Sequence, residues 1–224
     1  RAAHIRLGDH GAARVEWEKA MAFPSTDLIR AGSTLSTLGM EPEGVEFLRY
    51  TAANLPKDRS PLQFVAPYTR QGIDLIDRGE YVEAVTALAW ASEFDSTRAN
   101  TWYLLAEAYR KGGGLDQAED SICTALDLDP SDTGYQTLLV NLGSDHYQQG
   151  NLEKAIAVFR KALQYNPQIA EAYLNLGVLY FSQSRIPLAL EALKSAAGVS
   201  PDDLEILLSL GAVYLQSGQR DNAT

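Results

Sequence analysis

A period of 34 residues constrains this chain more than any other feature it carries. The run LQYNP closes at Pro167 and AGVSP closes at Pro201, 34 positions later; LDLDP closes a similar run at Pro130. Each proline is preceded by an alanine-rich stretch, and that stretch by a Leu-Gly or Leu-Ala pair. A fixed period means that one local unit recurs and stacks on its copies. Residues 170–203 (AEAYLNLGVLYFSQSRIPLALEALKSAAGVSPDD) show the unit best. Tyr173 is followed at +3, +4 and +7 by Leu176, Gly177 and Tyr180, which is one apolar stripe of a helix. After a polar turn, Ala189, Leu193 and Ala196 form a second stripe, and Pro201 follows it. Each unit is therefore a pair of helices, with small residues permitting close approach and large ones filling the gaps.

Four further stretches share this register. Residues 136–169 carry Leu139, Leu142, Gly143, Gly150, Ala155, Phe159, Ala162 and Pro167. Residues 99–132 carry Trp102, Leu105, Ala106, Tyr109, Gly113, Ala118, Ile122, Ala125 and Pro130. In residues 65–98 Tyr68, Gly72, Leu75, Gly79, Ala84, Leu88 and Ala91 fit, and Ser96 replaces the proline. Residues 25–58 are a divergent copy in which Gly44 and Thr51 stand where alanines belong. Residues 1–24 read as the second half of an earlier unit and 204–224 as the start of a later one. Such open ends imply a fragment of a longer protein. Residues 59–64 (RSPLQF) and 133–135 (TGY) are insertions, the first of which, with Pro61, is the expected bend or weak joint.

The pattern resembles the tetratricopeptide repeat family, whose motif is W-x₂-L-G-x₂-Y, then small residues around an aromatic, then proline. The resemblance covers essentially the whole chain in five consecutive units. It implies an all-α fold: a right-handed superhelical solenoid of antiparallel helix pairs, forming one continuous array. It also implies a protein-binding scaffold rather than an enzyme, with ligands held on a concave face lined by the first helix of each unit.

Other chemistries find little footing. KGGGLDQAED at 111–120 has the look of a phosphate loop, but Gly113 stands in register with Gly79, Gly150 and Gly218 between paired helices. No strand precedes it, and no lysine follows to meet a phosphate. LDLDPSD at 126–132 alternates acids like a calcium loop, yet Asp132 and Leu138 stand where an EF-hand needs glycine and a bidentate glutamate. His4, His10 and His146 lack a metal-ligand spacing, and His146 replaces the stripe tyrosine of its unit. Cys123, the one cysteine, sits beside the core position Ile122 and reads as a structural thiol. No catalytic residue, cofactor or metal site is expected.

The chain has a formal net charge of −10, so a phosphate backbone would be repelled and nucleic acid is not an expected partner. The imbalance is uneven: residues 1–70 hold 9 Lys/Arg against 8 Asp/Glu, and the rest hold 10 against 21. No apolar run approaches transmembrane length, so no membrane contact by this segment is expected, and nothing fixes its compartment.

By the resemblance, the groove is lined by the residue before each Leu-Gly pair and by the next two turns. From these positions the expected groove residues are Arg70, Glu107 and Arg110 toward the front, then Asn141, Ser144, Tyr147, Asn175, Phe181 and Ser209, while Tyr103, with Tyr147 and Phe181, would supply apolar contact. Asn141 and Asn175 fall in two successive N-L-G triplets. Some family members clasp an extended peptide's backbone with asparagines at this place, and a carboxamide, both donor and acceptor, suits that task. Others grip a terminal carboxylate with lysines, but Thr69, Tyr103 and Val140 hold those positions here. Arg30 and Arg70 would attract an acidic partner at the front end, with Arg110 extending that patch and Glu107 beside it neutralising part of the charge. The expected partner is a protein or peptide ligand. The alternative is a docking or regulatory domain of a larger enzyme or membrane assembly, such as a glycosyltransferase or polysaccharide-export component. Self-association through the half-units is a third expectation.

Overall fold

The computed structural model describes residues 19–20 and 62–218 of the 224. The expected units 1–24 and 25–58, residues 59–61 of the first insertion and residues 219–224 lie outside the described residues, apart from Lys19 and Ala20. Among the described residues the structure is helical, with no strand. Helices α1 (Leu62–Arg78), α2 (Tyr81–Phe94) and α3 (Ala99–Lys111) are followed by α4 (Leu115–Leu128), α5 (Thr133–Gln148) and α6 (Leu152–Tyr165). Helices α7 (Ala170–Ser182), α8 (Ile186–Val199) and α9 (Leu204–Gln216) complete the order. Leu62–Phe64 of the first insertion form the opening of α1, and Thr133–Tyr135 of the second form the first turn of α5.

The chain divides into two compact units, 1–114 and 115–224. In the first, α1 packs on α2 and α2 on α3, with α1 also touching α3. Its core centres on Tyr68, which meets Trp90 edge-on at 5.1 Å and stacks on Phe94 at 6.0 Å. In the second, each helix from α4 to α9 packs on the next, and the alternate helices α5, α7 and α9 also touch in sequence. Its core holds Ile122, Leu126, Leu139, Leu142, Phe159, Leu179 and Leu193, all essentially inaccessible.

The glycine of the Leu-Gly pair sets how closely paired helices approach. A Cβ on Gly177 would stand 2.5 Å from Leu193 Cγ, and one on Gly143 would stand 2.6 Å from Phe159 Cε1. Both distances are well inside van der Waals contact, so the large side chain from the second helix lies directly against bare backbone.

The turns within pairs share one geometry. After α5, Gly150 has φ 80°, its N–H donates to Tyr147 O at 2.9 Å, and the Asn151 N–H donates to His146 O at 2.9 Å. This is the Schellman closure, in which a left-handed residue lets the chain turn back and satisfy the last carbonyls of the helix. The run Gly112–Gly114 does the same after α3. Its three N–H groups donate to Ala108, Arg110 and Tyr109 carbonyls at 2.9, 3.1 and 2.8 Å. All three donors are thus taken up within the turn. Turns between pairs are closed instead by side chains. Asp132 Oδ1 accepts from the Gly134 and Tyr135 N–H groups at 2.8 and 3.1 Å, and Asp203 caps α9 in the same way.

Candidate functional site

Within the second unit, a repeating stripe runs down one face of each first helix, on α5 and α7 the side that the second helix leaves open. On α5 it is Thr137, Asn141, Ser144 and Tyr147; on α7 it is Glu171, Asn175, Val178 and Phe181. On α9 it is Glu205, Ser209, Ala212 and Leu215. The spacing of four, three and three residues keeps each set on one helical face, and α5, α7 and α9 touch in that order.

Three chemistries are thereby laid in rows across the helices. The row nearest the helix starts contains Glu171 and Glu205, both exposed and neither with a cationic partner among the described residues. The middle row contains Asn141 and Asn175, half-buried, whose carboxamides make no hydrogen bond among the described residues. Ser209 continues it. The far row is apolar and open: Tyr147 is 42% accessible, Leu215 is 58%, and Phe181 is half-buried. Between the last two rows Val178 is 37% accessible, and Ser144 donates its hydroxyl to Val140 O at 3.4 Å.

Charge separates the two sets of helices in this unit. All five Lys/Arg residues of 115–218 lie off the first helices: Lys154, Arg160 and Lys161 on α6, Lys194 on α8, and Arg185 in the α7–α8 turn. Several are committed to neighbours. Lys154 Nζ binds Asp116 at 2.6 Å, and Lys161 binds Glu119. The phenol of Tyr165, which continues this α4–α6 seam, donates to Asp127 at 2.7 Å. Helices α5, α7 and α9 contain no lysine or arginine.

In the first unit the corresponding positions differ. Arg70 is exposed and lines a shallow depression with Thr69, Ile73, Arg98 and Asn100, at the junction of α1 with the start of α3. Arg98 is already held by Asp95 at 2.7 Å. Glu107 pairs with Lys111 at 2.9 Å, since four residues is one helical turn. Tyr103 and Arg110 are half-buried.

The remaining titratable groups have structural settings. Burial pushes the Cys123 thiol upward, away from the thiolate form, with the Lys161 ammonium pulling the other way. His146 is buried in the second unit's core, with Asp116 Oδ1 4.0 Å from its Nε2. Among the described residues no group of three or more His, Cys, Asp and Glu is placed to hold a metal ion. Nor is any described helix long and apolar enough to cross a membrane.

The acidic row is what sequence reasoning missed. Its signal was present one turn before Asn175 and Ser209, though not before Asn141, where Thr137 stands, but glutamate in the first turn of a helix also neutralises the helix dipole and so draws no notice.

Comparison with known proteins gives consistent matches. The family model described as "Tetratricopeptide repeat" matches residues 69–133 and, in a second version, 170–203; the model described as "TPR repeat" matches 143–184. Together these cover more than half of the chain. Human superkiller complex protein 3 is 28% identical over 124 residues, which is 55% of this chain and 8% of that protein. The mouse protein matches to the same extent, so the matched part is a small fraction of these relatives' length. Among solved structures, MamA superposes with a TM-score of 0.55 at 24% identity, covering 72% of this chain and 86% of MamA. A tetratricopeptide repeat protein from Parabacteroides merdae gives 0.55 at 22% identity, covering 72% and 63%. At these identities the structural likeness concerns the fold.

Proposed function

The chain belongs to the tetratricopeptide repeat family, an all-α helical-repeat solenoid, and from that premise we propose that it holds a segment of another protein against the open face of its first helices. Proteins of this fold are typically non-enzymatic scaffolds that bind peptides or proteins. The finer reading is that Asn141 and Asn175 clasp the backbone of the bound segment. One observation carries it: two half-buried carboxamides at the same place on touching helices, neither spent on a hydrogen bond among the described residues. A carboxamide can donate to a backbone C=O and accept from an N–H, so a row of them holds a chain without reading its side chains. Tyr147 and Phe181 beside them offer the apolar area from which interfaces draw most of their affinity.

The test begins with peptides selected on the 224-residue chain from a random library. A photo-crosslinker placed at Ser144 should capture them, and one at Glu191 on α8 should not. Asn141→Ala with Asn175→Ala should weaken a captured peptide roughly thirtyfold, taking ~1 kcal/mol for each lost clasp. Asn151→Ala, in the turn after α5, should change nothing. A double variant with native circular dichroism and unchanged affinity would refute the clasp.

A second reading rests on the size of the relatives. The matched repeats form 8% of superkiller complex protein 3, so arrays of this kind also serve as parts of much longer chains. A docking role within a larger enzyme or assembly uses the same face and differs in what is tethered to it.

A further inference from the structure

We infer that the segment held by the second unit is a cationic amphipathic one, with lysine or arginine along one edge and apolar side chains along the other. This rests on the reading of the open face as a ligand surface and adds the chemistry of its occupant. Three observations lead to it. The face has an acidic edge, Glu171 and Glu205, with no cation to offset either carboxylate among the described residues. The opposite edge is apolar and uncovered, with Tyr147 42% and Leu215 58% accessible. Moreover, α5, α7 and α9 carry no lysine or arginine at all, while residues 115–218 hold 13 Asp/Glu against 5 Lys/Arg, every one of the latter on or beside a second helix.

These facts select among partners by charge. An acidic segment would meet Glu171 and Glu205 directly, and like charges brought together at an interface weaken association. A neutral apolar segment would bury the far row but leave the two carboxylates unmatched. A segment with both basic and apolar edges satisfies both rows, and its backbone then lies over the Asn141–Asn175 row. The field of the surrounding acids adds long-range attraction, which raises the rate of encounter and falls with salt.

First-turn glutamates also stabilise their own helices, so the test must separate that role from partner binding. Three labelled 18-residue peptides are titrated into the 224-residue chain by fluorescence anisotropy: Lys/Leu in amphipathic order, Glu/Leu in the same order, and Lys/Ser without an apolar edge. The Lys/Leu peptide should bind at least tenfold more tightly than either other peptide, as expected when charge and apolar burial both contribute. Glu171→Gln with Glu205→Gln should weaken it roughly three- to tenfold and flatten its salt dependence, while Glu191→Gln with Glu153→Gln on the second helices should not. Leu215→Ser should weaken it without altering the salt dependence.

Equal binding of the Glu/Leu peptide overturns the inference. So does Lys/Leu binding that is unchanged by Glu171→Gln with Glu205→Gln, since that is attraction to an acidic protein in general. If library-selected peptides crosslink at Ser144 but are acidic or neutral, this inference fails and the proposed function stands. If no peptide of any charge crosslinks there, both fail.

Discussion

Ser184 is the one described residue other than glycine with a positive φ, at 59°. It stands in the α7–α8 turn where Gly79, Gly113, Gly150 and Gly218 stand in the others, and it makes the same closure, with Arg185 N–H donating to Tyr180 O at 2.8 Å. A left-handed conformation costs an L-residue with a Cβ roughly 1–2 kcal/mol, and glycine recovers most of it less the entropy of a freer unfolded chain. Ser184→Gly should therefore stabilise the protein by about 0.5–1 kcal/mol, raising Tm by roughly 1–4 °C in a chain of this size. Thermal denaturation checks this; a lower Tm would mean that the serine hydroxyl contributes something its backbone conformation does not reveal. The comparison shows where sequence reading stops. Four turn glycines were legible because glycine is the residue that a left-handed turn selects, and the period found them. The strain at Ser184 was not, because serine is at home in any turn and its letter says nothing about φ.

At the scale of the helix pair, the Leu-Gly motif is a statement about distance. The sequence marked Gly177 as the small residue of its stripe, and the structure supplies what it is small for: Leu193 lies where a methyl group would be. Alanine is the better helix former by ~1 kcal/mol, so the sign of Gly177→Ala depends on which effect wins. A Cβ 2.5 Å from Leu193 Cγ and 2.8 Å from its Cδ2 forces both helices to shift or the leucine off its rotamer, and overpacking of that kind costs typically 1–3 kcal/mol. Since more than one contact is violated, destabilisation should win, by up to about 2 kcal/mol net of propensity. Gly211 holds the same position in α9, with nothing among the described residues within 4 Å of a Cβ placed on it. There the propensity gain should stand alone, and Gly211→Ala should be neutral or stabilising by up to ~1 kcal/mol. Urea unfolding of the two variants side by side gives opposite signs if close approach is what the motif encodes. The candidate face has a different legibility. Its middle and far rows follow from register and could be read directly. Its acidic row could not, because a glutamate in the first turn of a helix has a local explanation, and only its lack of a cationic partner among the described residues turns attention outward.

For the whole molecule, repetition makes stability local. Each helix pair is held mainly by its own interior and by its neighbours, so an array behaves as a row of coupled units rather than as one cooperative block. The division of packing between Gly114 and Leu115 sharpens this, and no motif announced it, since the break falls within the 99–132 repeat rather than at its end. A perturbation in one unit should then fade along the chain. Gly177→Ala should accelerate amide hydrogen exchange most in α7 and α8. It should accelerate α5, α6 and α9 less, and leave α1–α3 at their parental rates, because opening free energies are set within each cooperative unit. Mass-spectrometric exchange resolved by peptide reads this directly. Uniform acceleration from α1 to α9 would mean one cooperative fold, and a ligand on the second unit would then stabilise the first as well. The graded pattern implies the opposite: a segment bound on α5, α7 and α9 should protect those helices and their partners while α1–α3 exchange as before. Arg70 and its depression would remain open to a separate ligand.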